Sequence, residues 1–229
     1  MKILFTKKSI EQEVKHKLTP TVQLDFVDVL RINHLKIAPF PLDNYSLIFT
    51  SVNGVQSFFE NGFSPNEDFS KPSKYNKVYA VGKKTKKEIK KYGYGVYKVT
   101  RHASELLDFV IENSGKEKFI HFCGNLALDI LDRKLPLQNI QYKKVIVYET
   151  ELLYPKIDEN HDAICFFSPS GVRSFAKLNS FDNKILFSIG ETTENELKAR
   201  TNSKIITSKE SNLDDLLKLI NLYISAQEI

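Results

Sequence analysis

Short apolar runs alternate with longer amphipathic stretches along the whole chain. The apolar runs predict strands at 2–5, 22–30, 46–50, 77–81, 95–99, 118–122, 142–149, 163–167, 184–189 and 204–207. The amphipathic stretches predict helices near 7–17, 53–61, 84–92, 103–114, 125–133, 171–178, 192–200 and 212–226. Because the strands are short and mostly apolar, they predict parallel sheets covered by helices on both faces, which is an α/β fold.

Two segments of the chain repeat at points where predicted strands lead into helices. Phe49–Phe58 matches Phe166–Phe175 at six of ten positions. Val81–Lys90 matches Ile189–Lys198, with Gly, Thr, Glu and Lys recurring in step. The opening strand–helix–strand also resembles 118–148. The chain is therefore predicted to contain two similar α/β units whose parts occur in permuted order.

These repeats predict two interleaved domains. The first domain comprises 1–33 and 153–229, and the second, 42–142, is inserted into it. The connecting segments, 34–41 and 143–152, contain alternating apolar residues and are expected to pair as a two-stranded β hinge. We therefore expect two similar flavodoxin-like parallel-sheet domains, with a ligand bound in the cleft between them.

The repeated residues occur at strand-to-helix turns. In doubly wound sheets such turns lie at the carboxyl edge, where ligands bind, and the free N–H groups of a helix start attract anions. Four such turns would suit a ligand with several carboxylates or phosphates. Alternatively, their polar side chains serve only as helix N-caps. The candidate binding residues are Ser51, Asn53, Gly54, Gly82, Lys83, Thr85, Ser168, Ser170, Gly171, Gly190, Thr192 and Thr193.

The excess positive charge is concentrated in one predicted helix. The 229 residues include 33 Lys plus Arg and 28 Asp plus Glu, a formal net charge of +5, and residues 83–91 contain six Lys against one Glu. A solvated helix face explains such a run, and a landing surface for a polyanion such as nucleic acid is the alternative. No Arg-rich stripe, zinc-finger spacing or helix-turn-helix pattern favours nucleic acid.

Several classes of function have no support in the sequence. No apolar run is long enough to span a membrane, and two cysteines, Cys123 and Cys165, are too few for a disulfide framework, so we expect a cytoplasmic protein. The five histidines lack metal-ligand spacing, and neither a Walker-type phosphate loop nor a Gly-x-Ser-x-Gly elbow occurs. Chemistry would have to use hydroxyls, oriented amides and a phenol, for which Tyr148 is the best placed.

Five motifs, taken together, resemble the uroporphyrinogen-III synthase family of the tetrapyrrole pathway. They occur in that family's order and spacing, from about 45 to 200, and the interleaved two-domain layout covers the whole chain. The motifs are Ile48–Val55, Ala80–Thr85, Val145–Thr150, Phe166–Val172 and Ser188–Thr193.

This resemblance implies a cyclising hydro-lyase that needs neither cofactor nor metal. Its substrate would be hydroxymethylbilane, a linear tetrapyrrole with eight carboxylates that loses water and closes with inversion of ring D, in haem biosynthesis. The tyrosine implicated in the family corresponds to Tyr148, which would hydrogen-bond the departing hydroxyl. Gly124 and Asn125, at a later turn, would join the candidate binding residues given above.

Two other functions remain open on the sequence alone. One is a non-catalytic two-domain binding module for a polyanionic small molecule, and the other is a nucleic-acid-associated protein that uses the 83–91 helix. The enzyme interpretation predicts a small octacarboxylate as the partner, with no nucleic acid and no membrane. Since no heptad pattern or large apolar surface stretch is evident, we expect a monomer.

Overall fold

A computed structural model describes residues 1–68, 70 and 74–227. Strands and helices alternate through these ranges, which confirms the α/β class. The strands are β1 (Lys2–Phe5), β2 (Gln23–Phe26), β3 (Leu30–His34), β4 (Tyr45–Phe49), β5 (Val78–Val81), β6 (Lys98–Thr100), β7 (Lys118–Gly124), β8 (Gln141–Leu152), β9 (Ala163–Phe166), β10 (Ile185–Ser188) and β11 (Ile205–Thr207). The helices are α1 (Glu11–Lys17), α2 (Val52–Glu60), α3 (Lys83–Lys91), α4 (Ala103–Asn113), α5 (Ile130–Leu137), α6 (Pro169–Ala176), α7 (Glu191–Lys198) and α8 (Leu213–Ser225), with a 3₁₀ turn at Lys8–Ile10 before α1.

The chain divides into two compact units. The first unit contains Met1–Arg31 and Glu151–Ile229, and the second contains Ile32–Thr150. Both changes of unit fall within strands, because β3 includes the first boundary and β8 includes the second. One unit is therefore inserted into the other, and strands β3 and β8 are neighbours in one sheet.

The first unit contains a five-stranded parallel sheet in the order β11-β10-β9-β1-β2. Successive residues of a strand face opposite sides, so Ile3 and Phe5 pack in one apolar cluster and Leu4 packs in another. From the central pair β9 and β1, strands β10 and β11 follow β9 toward one edge of the sheet, and β2 follows β1 toward the other, so the order switches direction between β9 and β1. In doubly wound sheets this switch point is where ligands bind, outside the carboxyl ends of the strands.

The second unit contains the parallel order β6-β5-β4-β7-β8, with β3 added beyond β8. Leu47 and Phe49 pack on one face of this sheet, and Ile48 packs on the other. If β4 to β8 are matched with β9, β10, β11, β1 and β2 in that order, the two parallel sheets become identical. The permuted repeat inferred from the sequence is thus confirmed by strand order, and the switch point of this unit lies between β4 and β7.

Two asparagines hold equivalent segments of the two units. The Asn61 side chain accepts a hydrogen bond from the Ile37 N–H (2.8 Å) and donates one to the Leu35 carbonyl (2.8 Å). The Asn179 side chain likewise accepts from the Ile157 N–H (2.8 Å) and donates to the Pro155 carbonyl (2.7 Å). The strand expected at 34–41 is found instead at Leu30–His34. The Leu35 N–H still bonds to the Val147 carbonyl of β8 (2.9 Å), and the Leu35 carbonyl and the Ile37 N–H then bond to the Asn61 side chain.

The helix predicted at 125–133 begins later, at Ile130. Asn125 does not start a helix, because its own N–H bonds to the Tyr148 carbonyl (3.3 Å) and its side chain accepts from the Thr150 N–H (2.8 Å). These bonds continue the pairing of β7 with β8 beyond a bulge at Cys123 and Gly124. In the described ranges, no helix has the length and apolar character needed to cross a membrane.

Candidate active site

Each predicted binding turn lies at the carboxyl end of a parallel strand. In the second unit, β4 leads to Ser51, β5 leads to Gly82 and β7 ends at Gly124. In the first unit, β9 leads to Ser168 and β10 leads to Gly190. Since β4 lies between β5 and β7, the three turns of the second unit lie side by side at one sheet edge. The structure therefore brings the predicted residues of each unit together at its own edge.

Ser51 is the centre of a short hydrogen-bond chain in the second unit. Its extended backbone precedes α2, and its Oγ accepts a hydrogen bond from the Gly54 N–H at 3.0 Å, which caps the helix. The Tyr148 hydroxyl donates a second hydrogen bond to the same oxygen, also at 3.0 Å. A serine oxygen accepts two hydrogen bonds and donates one. Both acceptor positions are thus used, and the Ser51 hydroxyl proton can be offered to a ligand.

The Tyr148 phenol is partly buried and stays protonated at neutral pH. It packs against the cluster that includes Phe122 and Val147, and burial raises its pKa although the Ser51 hydrogen bond works in the opposite direction. A Cβ at Gly124 would lie 2.5 Å from Cε2 and Cζ of the ring and 2.9 Å from its hydroxyl oxygen. Gly124 therefore provides the space that the ring occupies.

Two helical glycines let α2 and α6 approach their sheets. A Cβ at Gly54 would lie 2.8 Å from the Phe122 carbonyl oxygen, which is backbone and cannot move aside cheaply. A Cβ at Gly171, the matching position of the first unit, would lie 3.2 Å from Cγ2 of Val29. These glycines serve close packing, which in turn fixes the position of each helix start at the sheet edge.

The equivalent turn of the first unit is capped in the same way but has a different second partner. Ser168 Oγ accepts from the Gly171 N–H at 3.1 Å and lies 3.3 Å from Ser170 Oγ. The repeat thus preserves the cap, and among the described residues a phenol contacts the Ser51 cap, whereas the Ser170 hydroxyl contacts the Ser168 cap. The two edges thus share a serine cap and differ in the group that contacts it.

The starts of α3 and α7 offer backbone N–H groups. Gly82 has φ +88° and Gly190 is extended, and within the described chain neither helix start has a side-chain cap. Unfilled N–H groups at a helix start bind anions. Exposed Lys83 adds positive charge at the first position of α3, whereas exposed Glu191 occupies the same position of α7. Of these two starts, α3 is the better anion site.

The remaining predicted side chains differ in their access to a ligand. Thr85 and Thr193 are only 4% and 1% exposed, so their turns could contact a ligand mainly through backbone N–H groups. Thr192 is exposed and Asn53 is partly buried. Asn125 is exposed, but its side chain is engaged with the β8 backbone.

Sequence reasoning missed some polar groups at or next to these edges. Asp28, at the end of β2, accepts a hydrogen bond from the Lys8 N–H at 2.8 Å, so a carboxylate of the protein itself occupies that turn of the first unit. Thr50, just before Ser51, lies 2.9 Å from Nε2 of buried His121. In the sequence, Thr50 could have been found from its position next to Ser51, the predicted helix cap. The described residues contain no group of three or more His, Cys, Asp or Glu able to hold a metal.

Comparison with known proteins identifies the family. The family model described as uroporphyrinogen-III synthase HemD matches residues 23–218. Uroporphyrinogen-III synthase of Saccharomyces cerevisiae is 26% identical over 210 residues, covering 79% of this chain and 76% of the yeast protein. The solved uroporphyrinogen-III synthetase of Helicobacter pylori is similar with a TM-score of 0.66 at 21% identity, covering 97% of this chain and 99% of that chain. A mutant uroporphyrinogen III synthase of Thermus thermophilus gives 0.69 at 12% identity, with 100% and 99% covered. The extent of the family match shows that this chain belongs to the uroporphyrinogen-III synthase family of cyclising lyases.

Proposed function

We propose that this chain converts hydroxymethylbilane into the type III macrocycle, with loss of water and inversion of ring D. Family membership supports the reaction class. The single observation that carries the proposed chemistry is the hydrogen bond from the Tyr148 hydroxyl to Ser51, next to the carboxyl-edge turns. We further propose that the protein is a cytoplasmic monomer that binds neither nucleic acid nor membrane.

The proposed role of Tyr148 is to help the substrate hydroxyl leave. The phenol turns its O–H, which donates to Ser51 in the free protein, toward the departing hydroxyl. The bond between the terminal methylene carbon and that hydroxyl breaks, and the phenol proton lets the hydroxyl depart as water. The terminal methylene first bonds to the substituted α carbon of ring D, which gives a spiro intermediate, and the bond from that carbon to its original bridging methylene then breaks. That methylene bonds to the free α carbon of ring D, which gives up its proton and so regenerates the phenol. Because the pKa of Tyr148 is raised by burial, the phenol holds its proton until the leaving oxygen develops negative charge. Such a positioned acid contributes about 10²-fold.

The proposed role of the turns is to hold the carboxylates. The N–H groups at the start of α3, with the charge of Lys83, and the free hydroxyl proton of Ser51 suit carboxylate groups in the second unit. The starts of α6 and α7 contribute from the first unit, and the other predicted turn residues shape these sites. Without the protein the bilane closes without inversion. Holding ring D in the inverted arrangement is thus the larger part of catalysis.

The test supplies hydroxymethylbilane to the purified chain and resolves the type I and type III products. We expect type III product, formed faster than the uncatalysed type I closure. Tyr148→Phe should lower kcat about 10²-fold and leave KM nearly unchanged. Tyr223→Phe, which removes a hydroxyl from a tyrosine that packs on Phe187 in the first unit, is the matched control and should retain full activity.

Two results would contradict the proposal in different ways. If only type I product forms, at the rate of the blank, the chain is not this enzyme. Retained tight binding of the type III product in that case would favour a polyanion-binding module. If type III forms but Tyr148→Phe is fully active, the phenol has no part in the reaction. Binding to nucleic acid that weakens steeply with salt would instead support the Lys-rich α3 as a nucleic-acid surface.

A further inference from the structure

A second polar chain lies inside the second unit, beneath the Ser51 turn. His121, in the middle of β7, is 1% exposed. Its Nδ1 lies 2.7 Å from the Tyr142 hydroxyl, and its Nε2 lies 2.9 Å from Oγ1 of Thr50. Both ring nitrogens are therefore paired. The chain runs from β8, through β7, to the residue that follows β4.

The imidazole in this chain is neutral. Burial, with nearby Lys144 as a smaller cause, lowers the pKa of His121 to about 3. A neutral imidazole donates at one nitrogen and accepts at the other. A phenol is the stronger donor of the two hydroxyls, so the Tyr142 O–H is assigned to Nδ1 and the Nε2–H to Thr50. The two hydrogen bonds therefore run in the same direction, from the Tyr142 hydroxyl to the His121 ring and from the ring to the Thr50 hydroxyl.

The chain holds the Ser51 turn from the opposite face of the sheet. Tyr142 packs with the cluster that contains Ile48, whereas Tyr148 packs with the cluster that contains Phe49. Adjacent residues of a strand face opposite sides. Thr50 is therefore held from one face through His121, and Ser51 is held from the other face through Tyr148.

We propose that His121 is a positioning residue for the cyclisation: it holds Thr50, and so keeps Ser51 where its Oγ meets the Tyr148 hydroxyl. The inference rests on the proposed function, since it assigns His121 an effect only through Tyr148. A turn free to shift by about 1 Å would misalign the phenol, and misplacements of that size cost up to about 10²-fold. Because the Gly54 N–H also holds Ser51, we expect a loss of about tenfold when the His121 contact is removed.

The test is a double-mutant cycle measured on the full chain. Thr50→Val removes the hydroxyl and keeps the shape of the side chain. It should lower kcat about tenfold with little change in KM, and raise the share of type I product. In a Tyr148→Phe background the same substitution should cost less than about twofold, because the bond it aligns is already lost. Thr201→Val is the matched control, expected to retain full kcat, because the Thr201 hydroxyl lies in the first unit and, among the described residues, bonds only to Ser203.

Variants of His121 itself give a second line of evidence. His121→Gln keeps a donor near the position of Nε2 and should retain more of kcat than His121→Leu, while both change the core. In ¹⁵N NMR of the labelled imidazole, the wild-type ring should stay in one neutral tautomer from pH 8 to pH 5. This readout needs neither substrate nor activity.

The outcomes separate failure of this inference from failure of the proposed function. Full kcat in Thr50→Val, when Tyr148→Phe is impaired, overturns the positioning role and leaves the function intact. Equal losses from Thr50→Val in both backgrounds also overturn it, because the effect then does not pass through Tyr148. An imidazole that titrates near its ordinary pKa overturns the buried neutral chain. Full activity in Tyr148→Phe overturns both the phenol's role and this inference, and no type III product at all overturns the function.

Discussion

Gly124 offers a direct test of whether the position of the Tyr148 ring matters. Gly124→Ala would place a Cβ 2.5 Å from Cε2 and Cζ of that ring, whereas ordinary contacts begin at 3.4 Å. The ring would have to retreat by about 0.9 Å. Its hydroxyl is 3.0 Å from Ser51 Oγ, so a retreat of that size away from Ser51 would take the two oxygens beyond hydrogen-bond distance.

The expected cost has two parts that can be measured separately. Overpacking a well-filled site costs about 1–3 kcal/mol of unfolding free energy. Displacing a catalytic group by about 1 Å costs up to about 10²-fold in rate, similar to removing the Tyr148 hydroxyl itself. In a Tyr148→Phe background the ring atoms remain, so Gly124→Ala should still cost stability and should cost almost no further activity.

Urea unfolding gives the first part and isomer-resolved turnover gives the second. Gly115→Ala is the control, because a Cβ there meets its nearest atom, the Ile111 carbonyl oxygen, at an ordinary 3.5 Å. It should change the unfolding free energy by no more than about 0.5 kcal/mol and retain full kcat. If Gly124→Ala matches Gly115→Ala in both measurements, the ring does not occupy the space described, and its place in the mechanism is lost.

Three further predictions concern stability and reactivity. Asn61→Ala and Asn179→Ala each remove an amide that bonds to three backbone groups, and each should lower the free energy of unfolding in urea by about 2–3 kcal/mol. Exposed Asn113→Ala is the control and should cost about 0.5 kcal/mol. If neither Asn61→Ala nor Asn179→Ala changes stability, the two asparagines do not hold these segments. The pKa of Asp215 is lowered by hydrogen bonds from the Glu210 N–H, the Ser208 hydroxyl and the Lys209 N–H. The stability that its carboxylate adds is therefore complete above the ordinary pKa of 3.8 and is lost as pH falls through the lower folded-state pKa. Asp215→Asn should lower Tm at pH 7, and its Tm should equal that of the wild type in acid. Burial raises the pKa of the Cys165 thiol and raises that of Cys123 to about 11. A thiol reagent at pH 8 should therefore label neither cysteine in the native protein and both cysteines in urea. Rapid labelling of the native protein would show that the thiols are accessible.

Periodicity and internal repetition predicted most of the fold. The apolar runs located β1, β4 and β9 to within a residue, because a strand buried on both faces must be apolar throughout. The match of Phe49–Phe58 with Phe166–Phe175 predicted two equivalent turns, and the structure shows the same serine cap in both. Local sequence was enough here because capping is a local interaction.

The features that sequence missed depend on distant partners. Asn125 precedes an apolar stretch in the manner of a helix cap, but the Thr150 backbone takes its side chain. The segment 34–41 alternates like a strand, but the Leu35 carbonyl and the Ile37 N–H bond to the Asn61 side chain. The link of His121 to Thr50 requires knowing that β7 lies beside β4. Pairwise contacts of this kind carry no signal in a single sequence.

The insertion of one unit into the other also sets an order of maturation. The second unit is a continuous stretch, Ile32–Thr150, so it emerges from the ribosome whole before β9 emerges. Strand β1 can pair early with β2 on one side, but its other side must wait for β9, and its Lys2 N–H bonds to Asp162, 160 residues later. Pairings of such long range form slowly and leave apolar edges open meanwhile. Strand β1 therefore keeps one open edge until β9 arrives, and the nascent chain is vulnerable to aggregation through that edge.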